Sequence, residues 1–196
     1  MTIKILDSLL REYLKTKATP NQIAEILSLT SFAVDRVEKH KDDFVYEIEI
    51  TTNRPDLFSV LGIAKEASAV LPQFGINAEF IPLKLIDKNK ITTKLPLIIK
   101  NDPKLVNRIC AVLMEVSVSE SSEKIKEHLE TSGIRSLNNV IDVTNYVMRV
   151  VGHPTHAFDF DKLNTKELLI REGKQGEKIT TLDKKDYVLK GGEIVA

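Results

Sequence analysis

The stretch FVYEIEITTNRPDLFSVLGIAKEASAV, Phe44 to Val70, changes its period in the middle. At first Phe44, Tyr46, Ile48 and Ile50 fall on one side and Val45, Glu47, Glu49 and Thr51 on the other, the alternation of a strand with one wet face. Pro55 then excludes Arg54 from the helical region, and Asp56 or Ser59 can cap a helix beyond it. Past the turn, Val60, Ile63, Ala64, Ala67 and Leu71 recur at helical spacing. Residues 1 to about 75 therefore read as one α+β unit.

Upstream, Leu6, Leu9, Leu10, Tyr13 and Leu14 lie at i, i+3, i+4, i+7 and i+8, the stripe of a helix with one buried face. A second helix is expected directly after it. Thr19 suits its N-cap, Pro20 its first position, and Gln22 completes a capping box ahead of Ile23, Ile26 and Leu27. Only KHKDDF separates VDRVE from the next strand, and six residues make a hairpin loop.

Downstream, Lys84, Lys88, Lys90, Lys94, Lys100 and Lys104 stand against Asp87 and Asp102, a pattern read as a solvated linker running into a strand, with contact to an RNA backbone as the alternative. LPLIIK and RICAVLMEV are strand candidates, and SSEKIKEHLETSG is a serine-capped helix stopped by Gly133. Val140, Val143, Thr144, Val147 and Val150 form one stripe of a further helix, which Gly152 and Pro154 end. KELLIREG reads as a strand and KITTLDKKDYVL as a hairpin. GGEIVA begins another strand, so the chain is expected to stop inside a domain and to expose a sheet edge near Ile194.

Lysine plus arginine and aspartate plus glutamate total 28 each, so no global field draws the chain to a polyanion or a membrane. The single cysteine, Cys110, rules out an internal disulfide, and no Cys/His spacing suggests structural zinc. No apolar run approaches the roughly 20 residues that span a bilayer. A soluble, intracellular chain is expected.

The densest polar cluster is DVTNYVMRVVGHPTHAFDFD, Asp142 to Asp161. His153, His156 and Asp159 offer three potential metal ligands at i, i+3 and i+6, but Pro154 breaks any helix that would align them and no fourth ligand is evident. Thr144 beside His156 has the makings of an activated hydroxyl, although a threonine on a valine-rich helix face commonly bonds its own backbone. Asn145 and Tyr146 can orient a polar ligand or satisfy buried backbone groups, and Asp159 and Asp161 can cap the turn after HAF. Pattern alone reaches a polar cluster at a helix-loop junction.

At these residues a resemblance becomes specific. NNVIDVTNYVMRVVGHPTHAFDFDKL resembles the editing domain of the bacterial phenylalanyl-tRNA synthetase beta subunit, and EIEITTNRPDLFSVLGIAKEASAV is similar to the signature of that subunit's first domain. ILDSLLREYL, TPNQIAEILSLTSFAVDRVE and REGKQGEKITTLDKKDYVLKGGEIVA follow the family in the same order. Two departures stand out. The oligonucleotide-binding barrel usually inserted in the first domain has no room in KHKDDF, and the chain stops at Ala196, before the glutamate with which the family reads a tyrosine hydroxyl.

The resemblance implies an α+β fold in which residues 1–83 form a structural domain, 84–94 a linker and 95–196 the first part of the editing domain. It implies hydrolysis of tyrosine mischarged onto the tRNA for phenylalanine. Thr144 and Asn145 would hold the aminoacyl end and a water, and His156 would bond near the ester or the terminal ribose. An apolar pocket rejects an analogue that merely adds a hydroxyl only by roughly 10²-fold, so a second, hydrolytic sieve is needed. No cofactor is implied for this fragment, while the parent enzyme uses ATP and magnesium to charge tRNA. The implied partners are the synthetase alpha subunit, in a two-alpha, two-beta assembly, and tRNA, with neither DNA nor membrane, in the cytoplasm. The alternative is a non-catalytic module that contributes subunit or RNA contacts.

Overall fold

A computed structural model of the chain describes residues 2–85, 96–163, 165–181 and 184–196. Apart from Lys84 and Leu85, the expected linker 84–94 lies outside the described residues. Helices and several small sheets make the fold α+β, arranged in two compact units: Met1–Ile86 with Val116–Ala157, and Asp87–Glu115 with Phe158–Ala196. The units cut across the expected 95–196 segment, because its helical pair packs on the N-terminal elements.

In the first unit the elements are β1 (Thr2–Leu6), α1 (Asp7–Arg11), β2 (Leu14–Thr16), α2 (Pro20–Thr30), β3 (Val34–His40), β4 (Asp43–Glu49), α3 (Val60–Val70), β5 (Ala78–Phe80), α4 (Glu123–Thr131) and α5 (Asn139–Val151). β4 is the middle strand of an antiparallel sheet ordered β1-β4-β3, and β2 pairs with β5. Tyr46 and Ile48 on β4, with Ile50 just beyond it, are each 1% exposed, as the alternation predicts. The β3–β4 hairpin is tighter than a six-residue loop. His40 pairs with Asp43, leaving Lys41 and Asp42 as the turn, with Lys41 at φ 53°.

The N-terminal stripe is a correction. Its leucines are all buried, but Leu6 ends a strand, Leu9 and Leu10 sit on a five-residue helix, and Leu14 begins another strand. An isolated helix of that length is marginal in water, whereas Ile3 and Ile5 gain a full antiparallel register against β4. A polar cluster locks the arrangement. The Tyr46 hydroxyl donates to Asp7 Oδ1 at 2.5 Å, Arg11 Nε donates to Asp7 Oδ2 at 2.6 Å, and Arg11 also reaches the carbonyls of Thr16 at 3.2 Å and Ala18 at 2.8 Å. Sheet, α1 and the approach to α2 thereby share one arginine.

Local signals hold where both partners are close in sequence. Gln22 N–H donates to Thr19 Oγ1 at 3.3 Å and Thr19 N–H to Gln22 Oε1 at 2.9 Å, the expected capping box. Arg54 takes φ −122° ahead of Pro55. Ser59 is the cap of α3, accepting from Gly62 N–H at 3.0 Å while donating to the Asp56 carbonyl at 2.9 Å. Asp56 is held by Arg54 at 3.0 and 2.8 Å, and Arg54 also meets Glu66 at 2.9 Å. The Arg54 guanidinium holds both carboxyls below the usual carboxylate range. Val60, Ile63, Ala64, Ala67 and Leu71 are fully buried, as their spacing predicts.

The second unit contains β6 (Ile98–Asn101), β7 (Glu167–Glu172), β8 (Lys178–Thr180), β9 (Asp186–Val188) and β10 (Ile194–Val195). β7 lies between β6, parallel to it, and β10, antiparallel, while β8 and β9 form the expected hairpin. Ile194 is 54% exposed. RICAVLMEV is not a strand. Its alternation is visible in half-buried Ile109, Ala111 and Leu113 against exposed Cys110, Val112 and Met114, but it joins no ladder among the described residues. Period-2 patterning without a hydrogen-bonded neighbour leaves extended chain only.

A Cβ added at Gly62 would stand 1.9 Å from the Asp56 carbonyl oxygen. Gly62→Ala should therefore cost about 1–3 kcal/mol through forced backbone shifts in a packed turn. Urea unfolding measures it, and an unchanged midpoint would mean the turn yields freely.

Candidate functional site

The polar cluster is built around α5. At its start Asn138 Oδ1 accepts from the N–H groups of Val140 and Ile141, each at 3.1 Å. Asn139 docks like a strand residue on the segment before α4. Its backbone N–H donates to the Ser119 carbonyl at 2.9 Å, its Nδ2 donates to the Ser117 carbonyl at 2.9 Å, and its Oδ1 accepts from Ser119 N–H at 3.0 Å.

One turn on, Asp142 has no exposed surface. Its Oδ2 accepts from the hydroxyls of Ser121 at 2.6 Å and Ser136 at 2.5 Å, and its Oδ1 from Leu137 N–H at 2.8 Å. Burial pushes this carboxyl up, but the donated hydrogen bonds outweigh burial and hold it below its ordinary range. At the other end Gly152, left-handed at φ 75°, closes the helix by donating to the Met148 carbonyl at 2.9 Å. A Cβ there would lie 3.1 Å from Ser59 Cβ, so the end of α5 rests on the cap of α3.

Of the valine stripe on α5, Val150 alone is fully buried. Val143 is 45% exposed and Val140 and Val147 are half-buried, while Asp142 and Val150 are buried and Tyr146 packs against the core. A carboxylate satisfied by three donors takes the core side at the start of the helix, and the stripe meets the core only at Val150. Burial pushes the Tyr146 phenol up, with Tyr13 and Glu12 adding to the shift, and its ring stacks on His128 of α4 at 5.8 Å between centroids.

The three candidate site residues sit on two segments. Thr144 and Asn145 are adjacent on α5, both half-buried, and His156 lies on the exposed segment after the helix. The Thr144 hydroxyl donates to the Ile141 carbonyl at 2.7 Å, the backbone bond expected of a mid-helix threonine. His153 is exposed, and Asp159 caps the turn after it by accepting from Asp161 N–H at 3.2 Å. Among the described residues no three His, Cys, Asp or Glu side chains come together as metal ligands. None of the three candidates lines the groove formed by His40, Lys41, Lys126 and Glu127, whose charges already pair with one another, such as Lys41 with Glu127 at 2.7 Å. Among the described residues no helix is long and apolar enough to cross a membrane.

Comparison with known proteins bears on both halves of the chain. Residues 106–196 match the B3/4 domain model. The chain is 38% identical to the phenylalanine-tRNA ligase beta subunit of Thermotoga maritima over 151 residues, 77% of this chain and 19% of that protein. It is 42% identical to the subunit of the same name from Clostridium tetani over 144 residues, 73% of this chain and 18% of that protein. Aligned segments of that length extend well beyond the 106–196 match. The chain belongs to the phenylalanine-tRNA ligase beta-subunit family. It spans about a fifth of the length of the curated relatives it matches.

Within this beta-subunit chain, sequence reasoning singled out Thr144, Asn145 and His156 but missed Asp142, Ser121, Ser136 and His128. Asn138 was recoverable as a helix N-cap from its position ahead of the apolar period. The Ser121–Asp142 bond, spanning 21 residues, carries no local signal. Asp142→Ala would leave the buried Ser121 hydroxyl and the part-buried Ser136 hydroxyl and Leu137 N–H without their acceptor, and should cost about 3 kcal/mol. With a depressed folded pKa, the wild-type contribution is present above the unfolded carboxylate pKa and is lost as pH falls through the folded one. Denaturation at neutral pH and in acid should show the wild-type advantage shrinking below the usual carboxylate range.

Proposed function

We propose that the chain acts as the N-terminal part of a phenylalanine-tRNA ligase beta subunit, and that residues 95–196 contribute to a site hydrolysing tyrosine mischarged onto the tRNA for phenylalanine. The observation that carries this reading is the 38% and 42% identity to beta subunits over about three quarters of the chain, together with the B3/4 domain match at residues 106–196. The contact of Gly152 with Ser59 supports it, since it joins the stretch after Pro55 to the end of α5.

The geometry favours hydrolysis by positioning. The Thr144 hydroxyl spends its proton on the Ile141 carbonyl, so its oxygen is an acceptor for a water or an α-ammonium group rather than an activated nucleophile. Asn145, next to it, offers both donor and acceptor to the aminoacyl end. His156, on the exposed segment, is the group able to reach an incoming ester or ribose and to take a proton from the attacking water. ATP and magnesium serve the charging reaction of the parent enzyme and enter no step here. The partners of this reading are the ligase alpha subunit and tRNA, in the cytoplasm, with residues 1–83 acting as the structural domain.

A second reading, a module that contributes architecture without hydrolysis, is favoured by one observation. Asn138, Asn139, Asp142 and Ser59 all spend their polar groups on holding the chain together. The test separates the two. In the complete beta subunit assembled with its alpha partner, His156→Ala should slow release of tyrosine from tyrosyl-tRNA about 10²-fold, the size of a lost positioning contact, with phenylalanine charging unaffected. Unchanged tyrosine release would remove His156 from the mechanism, and unchanged release in Asn145→Ala as well would favour the architectural module.

A further inference from the structure

His128 lies at the joint where α4 packs against both β1 and α5. It is 8% exposed, and its ring is stacked on Tyr146 with planes only 11° apart. Its Nδ1 is buried and has no hydrogen-bond partner among the described residues. Neutral imidazole tolerates that, because one nitrogen is then a bare acceptor. Imidazolium does not, because both nitrogens become donors and a charged N–H without an acceptor is costly to bury.

The charged groups facing the ring are already committed. Glu12, at the end of α1, pairs with Lys124 of α4 at 2.6 Å. Glu127, next to His128 on α4, pairs with Lys41 at 2.7 Å and stands 3.7 Å from His40. Asp43, at the start of β4, accepts from Ser8 N–H at 3.3 Å and from its own neighbour Phe44 N–H at 2.7 Å. From α5, Tyr146 supplies the stacked face. Arg149, one turn further along, reaches the Ser132 carbonyl at 3.3 Å, and its Nε has no partner among the described residues. The interface therefore contains a poorly solvated cation, and each of these three carboxylates is already engaged by other donors.

We propose that His128 is a positioning residue for α5: its neutral ring seats the α4–α5 pair on the N-terminal core, and protonation unseats the pair, making the placement of Thr144 and Asn145 acid-sensitive. Burial pushes the His128 imidazole down, against a smaller upward pull from Glu12. A histidine depressed in the seated form favours the unseated form as pH falls. The loss begins at the unfolded pKa, near 6.5, and is complete once pH has passed the seated one. The functional consequence rests on the proposed role of Thr144 and Asn145 in hydrolysis, whereas the seating itself does not.

The test uses this chain alone, without tRNA, so its failure and the failure of the hydrolytic reading are distinguishable. Ring carbon and nitrogen resonances report the titration of His128, and amide exchange along α4 and α5, corrected for intrinsic rates, reports opening. The ring is expected to titrate below the ordinary histidine value. Between that value and the ring's own pKa, the opening constant should rise about tenfold per pH unit. His128→Phe, which retains a stacked ring without a proton to gain, should flatten this dependence. A ring that titrates at or above the ordinary value would overturn the proposal, as would a variant that keeps the wild-type acid dependence. If the variant does not fold, the wild-type ring titration decides alone.

Discussion

The Asp142 carboxylate is the point on which α4, the loop after it and α5 converge. Ser121 precedes α4, Ser136 and Leu137 lie in the loop, and all three give their hydrogens to this one group on α5. The dependence is reciprocal, because each donor is costly to bury without the acceptor and the charge is costly to bury without the donors. Net depression of the carboxyl means that donors outweigh burial. A helix pair with few apolar side chains in the core can be held in this way, since Leu129 and Val150 are its only hydrophobic residues that are fully buried among those described.

The two stretches that carry the family resemblance are separate in sequence and touch in space. Ser59, the cap of α3, uses its hydroxyl twice at the turn after Pro55 and presents its Cβ to Gly152 at the end of α5. Any side chain at Gly152 would face both a left-handed backbone and that contact. Architecture therefore accounts for Asn138, Asn139, Asp142, Gly152 and Ser59, and what remains around α5 is Asn145, the acceptor side of Thr144 and the exposed segment bearing His156. In the proposed hydrolytic reading, that remainder is where chemistry on an aminoacyl ester has room to act.

Legibility followed the distance over which the deciding partner lies. Thr19, Pro20 and Gln22 were readable as a helix start because cap and capped groups are three residues apart, as are Ser59 and Gly62, and Gly152 lies only four from Met148. The stripe from Leu6 to Leu14 misled because helical spacing and burial coincide there by way of three different elements. The valine stripe of α5 misled at its start because a polar residue, once fully bonded, can take the core side. RICAVLMEV kept its alternation and lost its strand for want of a neighbour.

By itself the sequence determined the α+β class, the helix caps and stops, the strand alternation of β4, the β8–β9 hairpin and the family, all of which rest on spacing within a few residues or on extended similarity. Only the tertiary structure decided that β1 rather than a helix opens the chain, that Asp142 rather than Val140 or Val143 faces inward at the start of α5, and that His128 is buried against Tyr146. The physical reason is that these three outcomes depend on partners between 18 and 47 residues away, Tyr146 for His128, Ser121 for Asp142 and Glu49 for Thr2, and pairing across such distances leaves no periodic trace in either partner's own segment.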